Sequence, residues 1–175
     1  MTAQRVFFAL WPEEDLRDAV GAAISGLPRL RGRPVARSNW HITLKFLGEI
    51  DQRMLAAATA AADAVAAEPF ELMLDHFGHF PRAGVVFLGA SAVPRAAVTL
   101  VTALDNRLEQ AGFAARRRPW QPHLTLWRKV RRRPELSDPA APIRWPVGAF
   151  ALVRSERTTG GAEYTLIRRF LLAGL

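Results

Sequence analysis

Apolar and polar residues along this 175-residue chain alternate with a period of two in some stretches and close to 3.6 in others, and the switches mark its elements. Residues 5–11 read as a strand, after which Pro12 and the acids Glu13, Glu14 and Asp15 open a helix that runs to about Leu27. Leu16, Ala19, Val20, Ala23, Ile24 and Leu27 form its apolar face. A loop punctuated by Pro28, Gly32 and Pro34 leads to a strand over residues 40–47, which Gly48 ends. Asp51 caps a second, alanine-rich helix that reaches about Ala67 and stops before Pro69. Residues 70–77 and 85–88 predict two strands around a turn region with Gly78, Pro81 and Gly84. Pro94 opens a third helix, with Ala97, Leu100, Val101, Leu104, Leu108 and Ala111 on its buried face and Gly112 as terminator. A strand over residues 123–130 follows, 131–142 form a surface connection, and strands near 145–154 and 164–172 close the chain.

This order predicts an α+β fold of two lobes, each with a mainly antiparallel sheet and helices packed outside, within one domain spanning residues 1–175. One phrase occurs twice within it: His41-Ile42-Thr43-Leu44 and His123-Leu124-Thr125-Leu126. Successive side chains of a strand point to opposite faces, so each copy turns a histidine and a threonine one way and two aliphatics the other. Two such strands facing each other across a cleft, related by a pseudo-twofold, bring together two imidazoles and two hydroxyls.

That pairing suits chemistry on a phosphodiester. An ordinary imidazole titrates near neutrality, so one histidine can take a proton from water while the other gives one to the departing oxygen. Charge growing on phosphorus needs donors aimed at its oxygens, which the two threonines and an arginine supply. Arg128 is the best-placed arginine, yet five residues from His123 it falls on the opposite face of an ideal strand. Its use requires a bulge, a strand end or a curling side chain.

Charge sharpens the choice of partner. The chain carries a formal +8, and residues 89–175 hold 15 basic and 6 acidic groups, a local excess of +9. Such an excess favours a polyanion, and RNA or another phosphate ester is the natural candidate; a solvated surface of an arginine-rich protein is the competing explanation. There is no cysteine, which excludes disulfides, a thiol nucleophile and thiolate metal sites. No segment approaches the length of a membrane span, and the apolar start at Val6 is too short for a signal-peptide core, so a cytoplasmic protein is expected.

The segments Arg5-Val-Phe-Phe-Ala-Leu10, Asn39-Trp-His-Ile-Thr-Leu-Lys-Phe-Leu-Gly-Glu49 and Pro122-His-Leu-Thr-Leu-Trp-Arg128 resemble the bacterial and archaeal RNA 2',3'-cyclic phosphodiesterases. These were historically called 2'-5' RNA ligases and belong to the two-histidine phosphoesterase superfamily. The resemblance implies two lobes with the active site in the cleft between them. It also implies metal-independent, cofactor-free hydrolysis of a 2',3'-cyclic phosphate to a 2'-phosphomonoester. Carried onto this chain, it makes His41 the proton donor to the 3' oxygen and His123 the proton acceptor, with Thr43, Thr125 and Arg128 holding the phosphate. Trp127 stands where the family often has a smaller residue, which alters the pocket.

The expected partners are RNA ends or nucleotide cyclic phosphates, bound by a monomer with no membrane association and no obligate protein partner. A small cyclic nucleotide as substrate, 2'-5' ligation and a non-catalytic RNA-binding module are the alternatives. Phe7, Trp40, Trp120 and Trp127 are candidates for stacking on a base, against core or rim packing. Lys45 shares the parity of His41 and Thr43 but reads better as a strand-end surface lysine. Arg116, Arg117 and Arg118 read as a solvated loop or a guide for an RNA backbone, and Arg131, Arg132 and Arg133 belong to the surface connection. His76 and His79 form H-x-x-H, but residues three apart on a strand face opposite ways and no cysteine or tight carboxylate cluster accompanies them, so they predict no metal and read as loop or surface histidines.

Overall fold

The computed structural model describes residues 3–159 and 161–173. Local chemistry sets its helices. In α1 (Glu14–Ile24) Glu14 and Asp15 occupy the first turn, where carboxylates meet the positive end of the helix dipole. The amide of Met54 donates to the Asp51 carboxylate at 2.8 Å, capping α2 (Gln52–Asp63), which ends four residues before the expected Ala67. Pro94 precedes α3 (Arg95–Gln110), and Gly112 stops the chain beyond it in the left-handed region at φ 91°.

The strands are β1 (Gln4–Leu10), β2 (Arg33–Pro34), β3 (Ile42–Ile50), β4 (Phe70–Leu74), β5 (His76–Phe80), β6 (Val85–Gly89), β7 (His123–Arg128), β8 (Ile143–Val147), β9 (Ala149–Thr158) and β10 (Gly161–Leu171). The expected single strand over 145–154 is two, divided at Gly148. One antiparallel sheet runs in the order β10-β9-β1-β3-β7-β6-β5, with β2 on the side of β7, and β4 and β8 form a separate ribbon. Each half of this sheet is well paired internally, whereas β3 and β7 pair at one point, Ile42 opposite Leu124. The two lobes are therefore half-sheets joined along a seam. The motif strands are neighbours in that seam rather than facing walls, a correction to the arrangement expected from sequence.

One face of the sheet carries the main core. Ile42, Leu44, Leu124 and Leu126 are at most 1 % exposed and share a cluster with Val6, Phe8 and Leu10 of β1, Val20 of α1, Ala58 of α2 and Leu100, Leu104 and Leu108 of α3. Each buried leucine contributes about 1.5–3 kcal/mol over an exposed one. The opposite face holds a small second cluster of Phe7, Ala9, Ala151 and Val153 under Trp11, Tyr164 and Leu166. Among the described residues no helix is long and apolar enough to cross a membrane.

Both motif strands break their alternation at the same place. Against β1, Phe8 pairs with Lys45 and Ala9 with Thr43, so Leu44 is an extra residue; against β6, Val86 pairs with Trp127 and Phe87 with Thr125, so Leu126 is another. Each bulge falls three residues after a motif histidine and shifts the facing of all that follows by one. Gly48, expected to end β3, is a further irregularity inside it, at φ 81°. Because of the first bulge Lys45 turns to the helix side. It is 9 % exposed, and its Nζ lies 3.2 Å from Oδ1 of the buried Asp105 on α3. Arg116 closes the same cluster: its Nε donates to Asp105 Oδ2 at 2.6 Å, and its guanidinium reaches the Leu44 carbonyl. Lys45 is thus no surface lysine, and Arg116 is no solvated guide for RNA. Replacing Asp105 with Ala strands two cations against the core, and should lower unfolding free energy by about 3 kcal/mol in denaturant melts.

Candidate active site

The Ile42–Leu124 pair sets the register of everything around it. Extended by one residue each way, it places His41 opposite Thr125 and Thr43 opposite His123, with all four side chains on the sheet face away from the helices. All four are half-buried, while the aliphatics between them are fully buried, the alternation the sequence predicts. The two bulges then bring Arg128 and Phe46, each five residues after its histidine, back to this same face. The parity obstacle to Arg128 is removed by the bulge at Leu126.

Each imidazole is held in the same way. Nδ1 of His41 donates to the Asn39 carbonyl at 2.6 Å, and Nδ1 of His123 donates to the Gln121 carbonyl at 2.8 Å, in both cases two residues upstream. A carbonyl can only accept, so in each neutral ring the proton sits on Nδ1 and Nε2 keeps its lone pair. Nε2 of neutral His41 accepts from the Thr43 hydroxyl at 3.1 Å.

Their surroundings differ. His41 lies among three aromatic rings: Trp11 stacks on it with centroids 5.8 Å apart, Phe7 is tilted at 4.8 Å and Tyr164 meets it edge-on at 5.2 Å. The buried Arg17 guanidinium lies over the Trp11 ring at 5.4 Å. Burial pushes the His41 imidazole down from 6.5 to about 4, opposed by the Asn39 carbonyl and reinforced by the charges of Arg128, His123 and Arg17. His123 is flanked instead by the edges of Phe80 at 5.3 Å and Phe87 at 5.7 Å. Beside it opens a cavity of about 980 Å³ whose walls include Thr43, Phe46, Phe80, Arg117, Arg118 and Trp120.

Two activated nitrogens, two hydroxyls and a guanidinium on one open sheet face match the polar needs of a phosphodiester under attack. Comparison with known proteins agrees. Residues 12–159 match the model of the 2'-5' RNA ligase superfamily. The chain belongs to this superfamily. It is 32 % identical over 170 residues to the Escherichia coli protein named RNA 2',3'-cyclic phosphodiesterase, covering 97 % of both chains. It is 33 % identical over 180 residues to the Thermus thermophilus protein of the same name, covering 97 % of this chain and 91 % of that one. Among solved structures, Escherichia coli LigT complexed with 3'-AMP superposes with a TM-score of 0.89 at 32 % identity, covering 97 % of this chain and 98 % of that one.

Within this superfamily member, several aromatic and basic candidates stand elsewhere than sequence suggested. Trp40 is a core residue, 5 % exposed, with Nε1 donating to the Val35 carbonyl at 3.1 Å. Phe7, 4 % exposed, spends its ring on His41 and Tyr164 and offers no face to a base. Trp127 turns toward the main core, against which it packs half-buried. Trp120 lines the large cavity while its Nε1 donates to the Thr43 carbonyl at 2.9 Å. His76 and His79 are strand residues, half-buried: Nδ1 of His76 lies 2.9 Å from the Asp75 carboxylate, and Nε2 of His79 donates to the Val130 carbonyl at 2.9 Å. Among the described residues no three His, Asp or Glu side chains cluster as a metal centre requires.

Trp11, Tyr164, Phe46, Phe80 and Phe87 are the site neighbours that sequence reasoning did not single out. Tyr164 carried a signal, being the sole tyrosine of the chain. The aromatic enclosure makes a measurable demand on His41. In the free protein its ring resonances should titrate with a midpoint near 4 by NMR, and Trp11→Ala should move that midpoint up toward 6.5. The unfolded imidazole takes up a proton below about 6.5 that the folded one refuses until about 4, so this group lowers folding stability as the pH falls through that window.

Proposed function

We propose that this protein hydrolyses RNA 2',3'-cyclic phosphate ends to 2'-phosphomonoesters, with His41 as proton donor, His123 as proton acceptor and no metal ion. The observation that supports the reading is the register of β3 and β7, in which His41 falls opposite Thr125 and Thr43 opposite His123 on one sheet face while both Nδ1 atoms are engaged by carbonyls. A phosphate there is held by Thr43, Thr125 and the Arg128 guanidinium. His123 Nε2 takes a proton from water as the water oxygen forms its bond to phosphorus. The bond from phosphorus to the 3' oxygen breaks in line, and that oxygen receives a proton from His41 Nε2. The 2' oxygen keeps the phosphate. The hydroxyls and guanidinium meet the charge that grows on the phosphoryl oxygens.

The depressed His41 pKa gives the donor a condition. At neutral pH the free protein holds this ring neutral, and the anionic substrate opposes both the desolvation and the Arg128 charge that keep it so. Protonation of the acid is thereby coupled to the arrival of the phosphate. Addition of 2'-AMP should raise the His41 midpoint by NMR; a midpoint unmoved by the nucleotide assigns the donor role elsewhere.

A second reading keeps the site and changes the nucleophile. The cavity beside His123 is far larger than a water requires, which favours a 5'-hydroxyl of a second RNA strand in its place and a 2'-5' bond as product. The first test uses an RNA oligonucleotide ending in a 2',3'-cyclic phosphate, with EDTA present and with or without a 5'-hydroxyl strand. Wild type should leave a 2'-phosphomonoester on the RNA end, and His41→Ala and His123→Ala should each lose about 10²–10⁴ in rate with substrate binding nearly retained. Alanine variants as active as wild type would move the chemistry to other residues, and wild type that binds the RNA without turnover would leave a binding module.

A further inference from the structure

The charges gathered beyond Arg128 are nearly all of one sign. Arg33 of β2 stands directly opposite Arg128 of β7. The chains leading away from that pair are equally basic. Arg29 and Arg31 on one side, and Lys129, Arg131, Arg132 and Arg133 on the other, line a concavity of about 620 Å³ in which Glu135 is the acidic residue. All six side chains are exposed, and among the described residues none of them makes an ion pair.

The backbone holds this arrangement together at some cost. Gly32 packs so closely that an added Cβ would lie 2.8 Å from the Arg128 carbonyl oxygen and 2.5 Å from the Val130 side chain. Lys129 adopts φ 62°, a left-handed conformation uncommon for a residue with a side chain. Val35 donates its amide to the Leu126 carbonyl at 2.8 Å, Val130 donates to the Gly84 carbonyl at 2.9 Å, and His79 donates to the Val130 carbonyl. Val130 is buried by these bonds, while its basic neighbours face solvent.

We infer that this basic concavity binds the phosphates of the RNA strand upstream of the cyclic end, so that an RNA oligonucleotide, not a mononucleotide, is the preferred substrate. The inference rests on the proposed reaction. In that reaction the 3' oxygen leaves on the His41 side, and the ribose that bears it carries the rest of the strand from its 5' carbon. The register puts His41 opposite Thr125, so this side is the one along which β7 continues to Arg128. Tyr164, whose ring meets His41, lines a small cleft together with Arg33, Asn39 and Arg128. Arg128 and Arg131 are three residues apart, at most about 10 Å of chain, so the charge continues from one to the other without a break. Arg117 and Arg118 flank the opposite, water side.

The test compares kcat/KM on a short RNA ending in a 2',3'-cyclic phosphate with that on 2',3'-cyclic AMP, for wild type, for the Arg131→Gln, Arg132→Gln, Arg133→Gln triple variant, its glutamate counterpart, and the Arg117→Glu, Arg118→Glu double variant. The triple variants should lose roughly tenfold or more on RNA, chiefly through KM, and the logarithmic salt dependence should become shallower by about 2 as three phosphate contacts go. Turnover of cyclic AMP should stay within about twofold, which also reports intact folding. Equal losses on both substrates, no loss on RNA, or a loss confined to the Arg117 and Arg118 variant would each overturn the upstream track. Wild type inactive on both substrates would overturn the proposed reaction, and the track with it.

Discussion

One cross-strand pair, Ile42 against Leu124, organises the molecule. Each residue follows a motif histidine, so a local dyad passes between them, and the antiparallel register then sets each histidine against the other motif's threonine. Both side chains are fully buried in the main core, which makes the site's register a packing requirement. A slip by one residue would turn Ile42, Leu44, Leu124 and Leu126 out of that core and bury the polar four, a loss of several kcal/mol at about 1.5–3 per leucine. The site is accurate because the core beneath it has no alternative.

The bulges extend the same logic. Leu44 and Leu126 stay in the core, and the extra residue each introduces reverses the facing of the chain beyond. On β7 this delivers Arg128 to the site and leaves Trp127 on the core side; on β3 it delivers Phe46 and sends Lys45 to Asp105. The dyad therefore holds for the central pair and its two bulges and is broken in chemistry. One end of the site holds a guanidinium, and the equivalent point at the other holds an aromatic ring that is 49 % exposed. The histidines diverge in the same sense, since His41 is walled by Phe7, Trp11 and Tyr164 while His123 opens onto the large cavity. Two identical residues in equivalent backbone settings thus sit in different surroundings, and for His41 that burial lowers the proton affinity.

Much of this was legible in the sequence, and the illegible remainder has a physical source. Periodicity located the three helices, and the doubled His-x-Thr phrase identified two strands that pair. Parity arguments failed only past the bulges: Lys45 looked like a site-facing or surface residue, and Arg128 looked misplaced, because a bulge leaves no composition signal when the inserted residue is an ordinary core leucine. Pairing order was equally hidden. The two motif strands are 82 positions apart, and nothing local distinguishes neighbours in one sheet from walls of a cleft. Trp40 and Phe7 show a third limit, since aromatic content near a motif does not say whether a ring faces a ligand, the core or the motif histidine itself.

The charge asymmetry between the halves of the chain acquires a spatial meaning once β7 is placed. The basic runs before and after it, at Arg116 to Arg118 and at Arg131 to Arg133, are separated in sequence by the very strand that carries His123 and Thr125, so they come to lie at its two ends. At the first run one arginine is withdrawn into the Asp105 cluster, and two remain for solvent. At the second all three stay exposed and are joined by Lys129, Arg29 and Arg31, with Arg33 and Arg128 paired beside them. A solvated surface is indifferent to where its charges sit. This fold sets arginine opposite arginine across a two-residue ladder and turns left-handed at Lys129 just beyond, so that charge of one sign is gathered where a polyanion would meet it.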